Sequence, residues 1–264
     1  MCIPCILVKH MLENMDFFHD EFRRFEDDVN GLILGTMDAA IAHLDGQIDP
    51  VLAELKSREN QDDVDRDRLG EHYSYLLSEY EGQTAFLRNS TLVSLASQLT
   101  HSLHKMASFG PLDLDDSKAD RSSSSECDCG CDHKKGCKCQ HRRKSEYERL
   151  GIEYKKRFEI DFLAHKERIK FIEPMRMARN RIVHEGGYAN TLDPDKPDYL
   201  DTSFSRRFRE YVPGEGYLEY GAQVVVSDEL LRRNAESAIA LVRWVAEELR
   251  KRQLANLRET KTVN

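Results

Sequence analysis

The sequence predicts an all-α fold, a helical bundle that carries one small β-hairpin before its last helix. Apolar residues recur three and four positions apart through several long stretches, as an amphipathic helix requires. Charged residues make up 33% of the 264-residue chain and hydrophobic ones 40%, a helix-leaning balance too charged for an all-β fold. Only one short stretch, near residue 220, replaces the helical period by two apolar runs across a tight turn.

Taken in order, residues 7–55 are mostly helical in pattern. Phe18, Phe22 and Phe25 share one face, as do Leu34, Met37, Ile41 and Leu44. Asn30-Gly31 and Gly46 are candidate interruptions, and Pro50 is a candidate first-turn residue of a new helix. Residues 56–68 read as a charged surface helix or loop. A strong helix follows over about 73–106, with Leu92, Leu95, Leu99, Leu103 and Met106 at helical spacing and Gly110-Pro111 as its stop. Residues 111–145 are polar, serine-rich and cysteine-dense, and read as an inserted loop that is disordered without a ligand.

Helical pattern returns over 146–184. Pro174 either kinks that helix or opens a new one in its first turn, and Gly186-Gly187 closes it. A loop with Pro194, Pro197 and Pro213 leads to "YLEYGAQVVVS" (217–227), a hairpin turning at Gly221-Ala222. Ser227 caps the last helix, whose apolar face is Leu231, Ala235, Ala238, Val242, Val245 and Leu249. With no internal repeat, residues 1–264 read as one helical domain with 111–145 inserted.

The net charge of −8 excludes a wholly basic nucleic-acid binder. The charge is uneven, however: residues 134–181 hold 16 Lys and Arg against 7 Asp and Glu. Such a stretch can form a local anion-binding face on an acidic protein. No run reaches the roughly 18 apolar residues of a membrane span, so no membrane partner is expected. The N-terminal "MCIPCILVKH" lacks the basic region of a signal peptide, which points to a cytoplasmic protein; Met11 is an alternative start.

The densest chemistry lies in "ARNRIVHEGG" (178–187). On a helical wheel Ala178, Ile182, Met175 and Ile172 form an apolar edge, while Arg176, Arg179, Asn180 and His184 share a broad face turned mostly away from the core. Arg179 and His184 flank that face, so both line one cleft only when a second element packs over it. The same helix from a second subunit in a two-fold dimer is the neatest supplier. The plainer reading is a solvated helix end whose Arg and His complement the helix dipole.

"RNRIVH" resembles the Arg-x4-His motif of the HEPN family (higher eukaryote and prokaryote nucleotide-binding domains), in its Arg-Asn-x3-His form. The order of "HEGG", the short hairpin and the closing helix is similar too, and "LRNSTLVSLASQLTHSLHKM" (87–106) resembles the helix that packs beside the motif. Many relatives carry an acidic residue there; this chain has Thr100 and His101.

The resemblance implies a HEPN-like bundle and a metal-independent endoribonuclease, a toxin or microbial defence effector with RNA as substrate. It also implies a homodimer whose motif helices face each other, and an antitoxin or regulatory protein as partner. Catalysis needs no cofactor in this reading. RNA carries its own nucleophile, the 2′-hydroxyl. His184 then serves as general base or acid, Arg179 grips the phosphate with its planar fork, and Asn180 orients the imidazole or binds phosphate. Arg176 and Arg181 add to the RNA-binding field. The products are 2′,3′-cyclic phosphate and 5′-hydroxyl ends. A non-catalytic nucleotide-, RNA- or protein-binding module of the same fold is the competing reading.

The insert adds separate chemistry. Cys127, Cys129, Cys131, His133, Cys137, Cys139 and His141 are thiolate and imidazole ligands suited to zinc. Their alternating spacing is unlike the C-x2-C pairs of a zinc ribbon and suits a cluster or a fluctuating site, outside catalysis. The "CIPC" at 2–5 offers two further thiols. A metal-responsive regulator is the function this segment alone would suggest, and reduced thiols that bind metal opportunistically are the bland one.

Overall fold

A computed structural model describes residues 17–58, 63–109, 145–185, 209–211 and 224–262. Helix dominates them, and among the described residues there is no strand. The all-α expectation therefore holds. The Cys/His insert and most of the expected hairpin lie outside the described residues. Residues 224–226, its last part, pair as a strand with no described residue; the Val225 N–H donates to the Tyr211 carbonyl (2.9 Å).

Helix α1 (17–27) passes through a π-helical turn, Asp28–Leu34, into α2 (Gly35–Arg58). Asn30-Gly31 thus widens the helix instead of ending it: the Gly35 N–H reaches back to the Asn30 carbonyl, five residues earlier. Pro50 lies inside α2, on its exposed side, and starts no new helix. Helix α3 (Asp63–Ser108) returns antiparallel. Gln98 donates to Asp28, and Lys105 and Ser102 both donate to the buried Glu21 carboxylate (2.5 and 3.3 Å). Closer to the far end, Tyr80 donates to Asp45 (2.5 Å).

The centre of the bundle is the second half of α3, where Leu92, Leu95, Leu99, Leu103 and Met106 are fully buried. Phe18, Phe22 and Phe25 cover one side. Helix α7 (Asp228–Thr262) covers another with the expected face, Leu231 to Leu249. Ser227 caps it, its hydroxyl accepting from the Leu230 N–H (3.1 Å).

Helix α4 (Glu146–Phe158) opens on a capping box: the Ser145 hydroxyl accepts from the Glu148 N–H, and the Glu148 carboxylate accepts from the Ser145 N–H. Ser145 therefore belongs to the helix start and not to the insert. Helix α4 lies along α3, with the Tyr154 hydroxyl donating to the Leu103 carbonyl (2.7 Å) and Arg157 to the Ala107 carbonyl (2.7 Å). It ends at Glu159, which adopts a left-handed conformation (φ 54°). A 3-10 turn (Phe162–Ala164) and the short α5 (Lys166–Ile169) follow before α6 (Ile172–Glu185). Pro174 sits in the first turn of α6, where its missing N–H costs no helical bond.

A candidate anion-binding cleft

Helix α6 carries the motif. Ile172, Met175 and Ala178 are buried and Ile182 packs partly against the core, so the apolar edge of the wheel faces inward. The polar face is not simply turned to solvent. Arg176, Arg179, Asn180 and Arg181 are half-buried. The first three line a cleft of about 390 Å³, lined also by Ala96, Ser97, Thr100 and His101 of α3 and by Glu146 and Tyr147 of α4. A second wall over Arg176, Arg179 and Asn180 is thus supplied within the chain, but it does not bring His184 into the same cleft.

Two helical stripes meet in this cleft. On α6 the spacing is Arg176, Arg179, Asn180; on α3 it is Ser97, Thr100, His101, each three and four apart. The first turn of α4, fixed by its capping box, presents Tyr147 between them. Tyr147 is buried, and its hydroxyl lies 2.9 Å from that of Thr100, which also reaches the Ala96 carbonyl (2.9 Å). Burial pushes the phenol up to about 12, against the pull of the Thr100 hydroxyl, Arg176 and Arg179. The floor of the cleft is therefore a neutral pair of hydroxyls.

The arginines are not equivalent. Arg176 is clamped by Glu173, one turn before it, through Nε to Oε2 (3.1 Å) and Nη2 to Oε1 (2.6 Å). That bond raises its pKa further above the ordinary range, and it leaves less of the guanidinium for a ligand. Arg179 makes no ion pair among the described residues; its one bond is from Nη1 to the Asn180 side-chain oxygen (3.1 Å). The Asn180 amide N–H groups make no hydrogen bond to any described residue. An uncommitted guanidinium beside a free amide, over neutral hydroxyls, is a suitable cradle for one anionic group.

His184 lies one turn beyond Asn180 on the same stripe, exposed in the last turn of α6, and is not among the residues lining the cleft. His101 is exposed at the cleft edge, and its neighbour His104 pairs with Glu146 (3.3 Å). The sequence reading missed Tyr147, Glu146 and the Glu173 clamp. Ser145-x-x-Glu148 and the spacing of Glu173 and Arg176 were the signals available for them.

A larger groove of about 550 Å³ between α2 and α3 is lined by Ala40, Leu44, Phe86 and Leu87 among others, and holds no arginine. Among the described residues no group of three or more His, Cys, Asp or Glu is placed to hold a metal; Cys127 to His141 lie outside them. No helix among the described residues is long and apolar enough to cross a membrane. No family model, curated protein or solved structure matches the chain.

Proposed function

We propose that the chain is a metal-independent endoribonuclease of HEPN type, which cuts RNA by attack of its own 2′-hydroxyl and leaves 2′,3′-cyclic phosphate and 5′-hydroxyl ends. The observation that carries this reading is Arg179, a guanidinium with no ion pair among the described residues, held with Asn180 in a cleft sized for a nucleotide. Arg179 and Asn180 hold the scissile phosphate, and His184, one turn further along, reaches the RNA as it leaves the cleft and transfers a proton. Arg181 contributes charge alongside. Two copies paired along α6 would bring a second such set to the same RNA.

Purified protein is incubated with total RNA in EDTA and the cut ends are mapped. Arg179→Ala and His184→Ala each abolish cleavage while folding and oligomeric state are kept. Full activity in either variant, or complete dependence on a divalent metal, removes the proposal. The exposure of His184 outside the cleft favours one other reading, a module that holds RNA or nucleotide without cutting it. In that case wild type binds RNA, Arg179→Ala does not, and no ends are produced.

A further inference from the structure

Cleavage of RNA through the 2′-hydroxyl moves two protons. One leaves the 2′-oxygen as it bonds to phosphorus; the other must reach the 5′-oxygen as its bond to phosphorus breaks. The motif offers one imidazole per chain, His184. Resting on the ribonuclease reading above, we propose that His101 is the second catalytic imidazole and that it protonates the leaving 5′-oxygen. In the balanced step, His184 takes the 2′-hydroxyl proton, the 2′-oxygen bonds to phosphorus, the 5′-oxygen departs with the proton from His101, and both imidazoles exchange with water afterwards.

The assignment follows from what the other cleft residues are already doing. The Ser97 hydroxyl donates to the Val93 carbonyl (2.8 Å). Thr100 is engaged by Ala96 and Tyr147. Tyr147 is buried at the floor and holds its proton up to about 12. Glu146 faces His104 (3.3 Å). Arg176 is clamped by Glu173, and Arg179 and Asn180 are cation and amide, suited to gripping the phosphate and not to proton transfer. That leaves His101, on the open edge of the same cleft, with no hydrogen bond to any described residue. Imidazole is the side chain able to give and regain a proton near neutral pH. Its place on α3 also separates the donor from the acceptor, which the motif helix α6 carries outside the cleft; in-line displacement at phosphorus needs two such separate groups, one for the attacking and one for the leaving oxygen.

The test uses the full-length protein and a short RNA around a cut mapped with wild type. A second version of that RNA carries sulfur in place of the bridging 5′-oxygen at the cut, so that the leaving thiolate needs no proton. His101→Ala should lower kcat on the oxygen substrate by about 100-fold or more, with KM changed less than about threefold. On the sulfur substrate it should return to within about tenfold of wild type. His184→Ala should be slow on both. A thermal melt matching wild type checks that the exposed position has not disturbed folding.

If His101→Ala cuts the oxygen substrate as fast as wild type, the proton comes from elsewhere, a second copy's His184 included, and the inference fails alone. If it stays equally slow on both substrates, His101 is not the donor and the inference fails. If wild type cuts no RNA, the ribonuclease reading itself fails, and His101 loses its role with it.

Discussion

Tyr147 gives the sharpest physical test of the cleft. Its phenol is buried, and its pKa is pushed up from an ordinary 10 to about 12. A phenol raised on folding holds its proton in the native chain where the unfolded chain has lost it. Stability is therefore intact below pH 10 and falls as pH rises towards 12. By linkage the loss from this one group is about 1.4 kcal/mol by pH 11 and nears 3 kcal/mol above both values. Tyr147→Phe removes the titration together with one hydrogen bond to Thr100. Near pH 8 the variant is less stable by about 1 kcal/mol, the ordinary net value of such a bond. The two effects oppose each other, so the stability curves of variant and wild type cross near pH 11. Urea unfolding followed by far-ultraviolet circular dichroism, at intervals from pH 8 to 11, measures both. Tyr154 and Tyr211 are also raised by burial, but they are common to both proteins and cancel in the difference. A difference that stays constant over this range refutes a neutral, buried phenol at the cleft floor.

Arg179→Lys keeps the charge and loses the planar fork, so kcat/KM on RNA should fall by about 10- to 100-fold; activity near wild type would mean that charge alone suffices. Gly151 lies on α4 where an added Cβ would run into Leu163. Gly151→Ala gains about 1 kcal/mol of helix propensity and loses about 1 to 3 kcal/mol to overpacking, a net destabilisation of up to about 2 kcal/mol by urea unfolding; a more stable variant would show that Leu163 swings aside freely. Val183, 46% exposed beside His184, should lose any α6-to-α6 pairing on substitution by Glu. Size-exclusion chromatography then reports a monomer, and filter binding of uncleavable RNA stays within about threefold of wild type because the cleft is internal; binding that vanishes with the dimer would place the cleft wall in the second copy.

The long apolar stripes were fully legible. The α7 residues Leu231, Ala235, Ala238, Val242, Val245 and Leu249 and the α3 residues Leu92 to Met106 are buried as their spacing demands. A helix that buries one face on a core leaves its period in the sequence. The region between α4 and α6 left no such trace. Its one sequence marker was Pro174, yet the chain already turns at Glu159, a non-glycine residue in the left-handed region. Arg252 of α7 donates to the Glu159 carboxylate (2.5 Å), a contact 93 residues distant that no local pattern encodes. The site divides in the same way. The wheel assigned the inner edge of α6 correctly. It could not say what would lie over Arg176, Arg179 and Asn180, because a wheel gives directions and no neighbours. Thr100 and His101 stood out as departures from a family pattern; that they share a cleft with Arg179 is a matter of how α3 and α6 cross.

That crossing changes what a second subunit has to supply. From sequence alone, the motif face needed a partner helix before any cleft existed at all. In the folded chain α3 and α4 already wall the part that holds Arg179, and the unwalled part is the last turn of α6, with Val183 and His184. Under the proposed function, phosphate binding and pairing of subunits would then be separable properties of one helix. The half-buried middle of α6 has its neighbours built in, so on the proposed reading it would bind phosphate whether or not a partner is present. The exposed end is where a partner has room to act, by excluding water around His184 and fixing an imidazole that no described residue holds in place. A site divided in this way would bind RNA as a monomer and cut it only when paired, so that assembly, and not substrate affinity, would set the rate of cleavage.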